Sequence, residues 1–128
     1  MDTSAIYAFL VAEDEKHDHA KAILASLQED EASLVSSSYV LQETVALLQA
    51  RIGVPAVRTF QQMAVPALEI VWISESLYQR AMAALLAAAK RGVSLTDWTS
   101  FEVMRERGIE RAFAFDRHFA EQGFISLS

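Results

Sequence analysis

The chain has 128 residues, 17 acidic against 11 basic side chains, a net charge of −6 and no cysteine. This length predicts a single domain over residues 1–128, and the missing cysteines exclude disulfides, thiolate zinc sites and cysteine nucleophiles. We expect a cytoplasmic protein without a membrane partner, because the longest apolar run, Ala81 to Ala89, falls far short of the ~20 residues of a membrane span. A protein that binds nucleic acid through bulk charge should be basic. This chain would instead need a local basic patch, a metal ion or a partner.

Apolar periodicity and turn residues divide the chain into alternating helices and strands. The helices are predicted over residues 3–10, 14–27, 40–52, 54–65, 74–90, 96–107 and 117–121, and the strands over 33–37, 69–73, 111–115 and 124–127. Gly92, Gly108 and Gly123 each follow a predicted helix closely, so we expect left-handed caps there. The alternation predicts an α/β fold with a parallel sheet covered by helices on both faces.

Four acidic residues stand where this pattern places strand ends or the helix turns that follow them: Asp2, Glu43, Asp97 and Asp116. The carboxyl ends of parallel strands collect ligands, so these side chains can face one edge of the sheet. Converging carboxylates repel each other, and a hard cation such as Mg²⁺ or Mn²⁺ relieves the repulsion and can activate water. Each acid also has an ordinary structural explanation, such as a helix cap for Asp97 and a solvated helix face for Glu43.

The ordered motifs of the chain resemble those of PIN domains, and of VapC-like toxins within that family. The opening Asp2–Ile6 (DTSAI) resembles the first PIN motif, and the following Ala12–His17 is similar to the next segment of VapC-like proteins. The later matches are Glu43 within SYVLQE, Asp97 within SLTD, and Asp116 within FDRHF followed by Gly123-Phe124. The resemblance extends over essentially the whole chain.

This resemblance implies a three-layer α/β/α sandwich around a parallel sheet of four to five strands. Only Met1 precedes Asp2, where the family usually has three or four apolar residues, so we expect a shortened first strand. The family further implies a Mg²⁺- or Mn²⁺-dependent endoribonuclease acting on RNA such as tRNA or rRNA. It would be the toxin of a toxin–antitoxin pair, silenced by a small antitoxin and present as a homodimer. Asp2, Glu43, Asp97 and Asp116 would be its catalytic and metal-ligating residues, with Ser4 or Thr3 supporting Asp2.

Two other functions are compatible with parts of the pattern. A PIN-like fold with a degraded metal site could serve as a non-catalytic binding or scaffold module. A receiver-like phospho-acceptor domain also gathers acids at strand ends, but it would need a lysine after a late strand, and Lys90 lies at a predicted helix end. Arg105, Arg107, Arg111 and Arg117 could form a basic patch for nucleic acid around Gly108, although stabilisation of a helix end explains the first two equally well.

Overall fold

The computed structural model describes all residues from 1 to 128. The α-helices are α1 (Thr3–Leu10), α2 (His17–Glu29), α3 (Ser38–Arg51), α4 (Val54–Thr59), α5 (Glu75–Ala88), α6 (Leu95–Arg107) and α7 (His118–Glu121). The strands are β1 (Val35–Ser37), β2 (Glu69–Val71), β3 (Arg111–Phe113) and β4 (Ile125–Leu127). The predicted order of elements is confirmed, although each strand is shorter than its apolar run.

Serine side chains begin the three long helices that follow strands or turns. Ser37, Ser74 and Ser94 each accept a backbone N–H of the first turn, in α3, α5 and α6 respectively. Such caps satisfy N–H groups that have no partner within the helix. Each of these helices therefore begins at a residue fixed by local sequence.

The helix ends agree with the sequence prediction in part. Gly108 adopts the left-handed conformation at the end of α6, with φ of 66°. The prediction for Gly92 is wrong, because α5 ends earlier and Ala89 takes the left-handed conformation with φ of 50°. A β-carbon makes this conformation unfavourable, so α5 ends at a strained residue.

The helix predicted over residues 54–65 is interrupted. α4 ends at Thr59, and the chain continues as a π-helical turn over Phe60–Ala64 and a 3₁₀ turn over Val65–Ala67. Pro66 lacks an N–H group and crowds the preceding turn, which prevents a regular α-helix there. The side chain of Phe60 is nevertheless fully buried, so the irregular turns keep an apolar anchor in the core.

The prediction of one continuous sheet of four to five strands is wrong in the structure, which has two parallel pairs, β1 with β2 and β3 with β4. Met1 and Asp2 form no strand but lie between the pairs. The Met1 nitrogen donates to the Val35 carbonyl at 2.6 Å, and the Asp2 N–H donates to the Phe113 carbonyl at 3.0 Å. Two residues are too few for a regular ladder of strand hydrogen bonds. Met1 and Asp2 therefore join the two strand pairs, called the half-sheets, by one backbone hydrogen bond on each side. We call this line the seam.

A cavity of about 580 Å³ lies along the seam, lined by residues of β1 and β3 such as Val35 and Phe113 and reaching Asp2 at one end. The three-layer arrangement of helices about the sheet stays a prediction. None of the helices combines the length and the hydrophobicity that a bilayer crossing requires.

Aromatic packing fixes α6 against the C-terminal half of the chain. The Phe101 ring is fully buried and meets Trp98 edge-on at 5.3 Å and Phe119 edge-on at 5.0 Å between ring centroids. Trp98 is therefore a core residue, which leaves its ring no room to stack on a base. On the other side of the molecule Ile6 of α1 packs with Leu48 of α3. These contacts hold the first turns of α1 and α6 in place, and both turns carry acids of the candidate site.

Candidate active site

Three of the four predicted acids meet at the end of the seam. Asp2 is the N-cap residue of α1, Asp97 lies in the first turn of α6, and Asp116 follows β3. One carboxylate oxygen from each lies within 4.8 Å of the others. The cluster forms because two helix starts and one strand end converge on the same point.

Asp2 is the most constrained member of this cluster, with only 6% of its surface exposed. Its Oδ2 accepts the Ser4 hydroxyl at 3.0 Å, and the same hydroxyl accepts the Phe115 N–H at 3.0 Å. Ser4 thus ties Asp2 to the chain that leaves β3, as predicted for Ser4 or Thr3. The Thr3 hydroxyl does not share this role, because it is buried without a hydrogen-bond partner.

Burial and the neighbouring Asp116 charge raise the pKa of Asp2 from its ordinary 3.8 to about 6, against the opposing hydrogen bond from Ser4. The Asp2 Oδ1 atom is buried and has no hydrogen-bond partner. A buried carboxylate oxygen without a partner carries a substantial desolvation cost. The arrangement is therefore unfavourable for the ionised protein on its own and would be relieved by a bound cation.

Asp97 has both a structural and a cluster position. It forms a capping box with Ser94, in which its Oδ2 accepts the Ser94 N–H at 3.0 Å and Ser94 Oγ accepts the Asp97 N–H at 3.1 Å. Burial, aided by the Asp2 charge, raises the pKa of Asp97 even though the Ser94 N–H opposes the shift. The Asp97 side chain thus caps α6 and also belongs to the acidic cluster.

Asp116 and Glu43 complete the set of predicted acids in different ways. Asp116 Oδ1 accepts the His118 N–H at 2.9 Å, which orients the carboxylate. Glu43, on α3, is half-buried and lines a second cavity together with Asp2, Asp97 and Asp116, but it does not join the three clustered carboxylates. That cavity, about 570 Å³ in volume, is called the acidic groove. Its carboxylates belong to Asp2, Asp14, Glu15, Glu43, Asp97 and Asp116.

The cations that line the acidic groove are not those predicted from sequence. None of the four arginines expected to form a basic patch borders it, and Arg107 instead pairs with Glu69 at 2.7 Å. Lys16 and Arg51 line the groove, together with Tyr7. The sequence signal for Arg51 was its spacing: eight residues after Glu43, it falls on the same face of a helix.

The donor set fits a hard divalent cation. Three carboxylates offer oxygen ligands, the type that Mg²⁺ and Mn²⁺ prefer. The unpartnered Oδ1 of Asp2 is an independent indication, because a cation would satisfy this otherwise costly buried atom. No nitrogen or sulfur ligand is part of the cluster, which disfavours a zinc site of the usual kind.

Comparison with known proteins defines the class of this chain. Residues 1–125 match the model of the PIN domain, so the chain belongs to the PIN domain family. It is 33% identical over 128 residues to proteins named 23S rRNA-specific endonuclease VapC20 from Mycobacterium tuberculosis, in strains CDC 1551 / Oshkosh and ATCC 25618 / H37Rv. The match covers 99% of this chain and 95% of each relative.

A solved structure supports the same relationship. The crystal structure of M. tuberculosis VapC20, described as a sarcin–ricin loop cleaving toxin, superposes with a TM-score of 0.83 at 31% sequence identity. The superposition covers 97% of this chain and 94% of that chain. The resemblance to VapC-like toxins inferred from the sequence motifs is therefore confirmed.

Proposed function

We propose that this protein is a Mg²⁺- or Mn²⁺-dependent endoribonuclease that hydrolyses RNA phosphodiester bonds as the toxin of a toxin–antitoxin pair. The observation that carries the proposal is the meeting of Asp2, Asp97 and Asp116 within 4.8 Å, with the buried Asp2 Oδ1 lacking a partner. Membership of the PIN family and the endonuclease names of the relatives support the reaction type.

Asp2, Asp97 and Asp116 would hold the metal, and Glu43 faces the same groove from α3. When bound, the ion would supply charge stabilisation at the scissile phosphate and would lower the pKa of a water molecule. Ser4 and the His118 N–H keep the Asp2 and Asp116 carboxylates oriented before substrate arrives. Glu43, which lines the groove outside the three clustered acids, would serve as a further ligand or as an acceptor of a proton from water.

The finer features of the function are proposed from the relatives. The relatives' name makes 23S rRNA the first substrate to test, ahead of tRNA. A small antitoxin that covers the acidic groove, a homodimer and a cytoplasmic location are also proposed for this chain. Its fold is proposed to be one domain over residues 1–128 with helices on both sides of the two half-sheets.

A cleavage assay on synthetic RNA tests the proposal. Wild-type protein is incubated with a hairpin carrying the 23S sarcin–ricin loop, a hairpin of scrambled loop sequence and a tRNA, each with Mg²⁺, with Mn²⁺ and with EDTA. We expect metal-dependent cleavage of one RNA, lost in Asp116→Asn and retained in Asp18→Asn, a matched change at an exposed position outside the groove.

Two results would contradict the proposal. Equal cleavage by wild type and Asp116→Asn would show that the activity does not use this cluster. Absence of cleavage on all RNAs, together with no Mn²⁺ binding by calorimetry, would favour the non-catalytic scaffold instead.

A further inference from the structure

The acidic groove poses an electrostatic problem for any polyanionic substrate. Six carboxylates line it, against the cationic side chains Lys16 and Arg51. One metal ion offsets charge only near the three clustered acids, because Coulomb interactions between exposed groups weaken over about 8 Å at physiological salt. The rest of a nucleic-acid strand in this groove would need a cation elsewhere along its path.

Arg51 stands in the position that such a cation would need. Glu43, Leu47 and Arg51 line the groove from successive turns of α3. At 1.5 Å per residue, Arg51 lies about 12 Å along the helix axis from Glu43. The α3 face of the groove therefore carries an acid and, about two turns further on, a cation.

The Arg51 side chain is held by an aromatic ring and not by an acid. Its guanidinium carbon lies 5.4 Å from the centroid of the Tyr7 ring. No carboxylate pairs with Arg51, whereas Arg80, Arg107 and Arg117 all form ion pairs. Stacking on a ring orients the planar guanidinium without using its N–H donors, so these donors stay free for an incoming anion.

We propose that Arg51, oriented by the Tyr7 ring, binds a backbone phosphate of the RNA strand at a position removed from the scissile bond. This inference rests on the proposed ribonuclease function and adds a substrate-positioning site to it. A guanidinium matches two phosphate oxygens with parallel N–H donors. The Arg51 contact would set how far the strand extends along the groove, because it lies two helical turns from Glu43.

A purely structural explanation predicts a different outcome. Arg51 lies in the last turn of α3, where a cation stabilises a helix. Arg58 lies in the last turn of α4, which continues into the π-helical turn; it is exposed, forms no ion pair and does not line the groove. Arg58→Ala is therefore a control that removes the same charge from a helical turn without touching the groove.

The test measures steady-state cleavage of the RNA hairpin found in the activity assay by wild type, Arg51→Ala, Arg51→Lys, Tyr7→Leu and Arg58→Ala. We expect Arg51→Ala to raise KM about ten-fold or more, because a hydrogen-bonded charge contact is lost, with a much smaller change in kcat. Arg51→Lys and Tyr7→Leu should fall in between, and Arg58→Ala should match wild type. In Arg51→Ala the slope of log affinity against log salt concentration should become shallower by the amount expected for about one phosphate contact.

Binding of a fluorescent copy of the sarcin–ricin loop hairpin, measured by anisotropy in EDTA, separates this inference from the proposed function. If wild type cleaves no RNA but still binds the hairpin with an Arg51-dependent affinity, the ribonuclease proposal fails and the phosphate site stands. If wild type cleaves and Arg51→Ala and Arg51→Lys keep its KM and salt dependence, the phosphate site is wrong. Equal losses in Arg51→Ala and Arg58→Ala would also overturn it, since they would report helix stability alone.

Discussion

Replacing Asp2 by Asn should make the metal-free protein more stable while abolishing its activity. In the folded protein the pKa of Asp2 is raised to about 6, and its ordinary value is 3.8. Between these two pH values the unfolded chain has released the proton and the folded protein still holds it. The contribution of Asp2 to the free energy of unfolding therefore decreases as pH rises through this window and stays reduced above pH 6.

The size of the effect follows from the shift of the pKa. Roughly two pKa units at 1.36 kcal/mol each correspond to about 3 kcal/mol of destabilisation at pH 7. The same calculation leaves less than about 1 kcal/mol at pH 4. Asn has nearly the same shape and can still accept the Ser4 hydroxyl, so its substitution removes the buried charge with little change in packing.

Urea unfolding in EDTA at pH 7 and at pH 4 measures this difference. We expect Asp2→Asn to gain about 2–3 kcal/mol over wild type at pH 7 and little at pH 4. Glu13→Gln, which neutralises an exposed carboxylate, should leave stability nearly unchanged at both pH values. A loss of stability in Asp2→Asn at pH 7 would refute the reasoning, because it would mean that the ionised carboxylate stabilises the fold without a metal.

Four further outcomes are expected. Mn²⁺ at about 100 times its dissociation constant should stabilise the wild type by about 2.7 kcal/mol in thermal or urea unfolding. Asp97→Asn should lose most of this gain in stability. An equal gain in both proteins would place the ion elsewhere. Asp97→Asn should also reduce RNA cleavage to background while circular dichroism shows an unchanged helix content. Ser4→Ala should cost about 1–2 kcal/mol in urea unfolding, because it leaves the Phe115 N–H without its acceptor. Ala89→Gly should stabilise the protein by up to about 1 kcal/mol by relieving the left-handed residue, whereas Ala87→Gly within α5 should destabilise it by about 1 kcal/mol; the same sign for both would contradict the strain at Ala89.

The sequence predicted most elements because their signals are local. Ser74 and Ser94 cap the helices that follow them, and alternation of strands with helices predicted parallel pairing. The position of Asp116 was also predictable, because it follows a parallel strand whose end lies at the ligand edge of the sheet, whereas Asp2 and Asp97 lie at helix starts and were expected there only from the resemblance to PIN domains. These features depend on short segments of chain or on a general rule of topology.

The features that the sequence did not predict depend on distant parts of the chain. The shortened first strand was expected, but the separation of the sheet into two pairs joined at Met1 and Asp2 depends on contacts with β1 and β3. The pairing of Arg107 with Glu69 joins residues far apart in sequence, so clustering along the chain did not predict which cations line the acidic groove. The orientation of Arg51 on Tyr7 likewise requires α1 and α3 to be packed together.

Asp2 belongs to the acidic cluster and also connects the two strand pairs at the seam. Its N–H reaches β3, while the Met1 nitrogen reaches β1, so this dipeptide links the β1–β2 pair to the β3–β4 pair beside the Arg107–Glu69 ion pair. Any movement of one strand pair relative to the other would displace the Asp2 carboxylate. An ion held by Asp2, Asp97 and Asp116 would restrict this movement. The Asp2 N–H donates to the Phe113 carbonyl, so amide hydrogen exchange at Asp2 should accordingly slow when the metal site is filled.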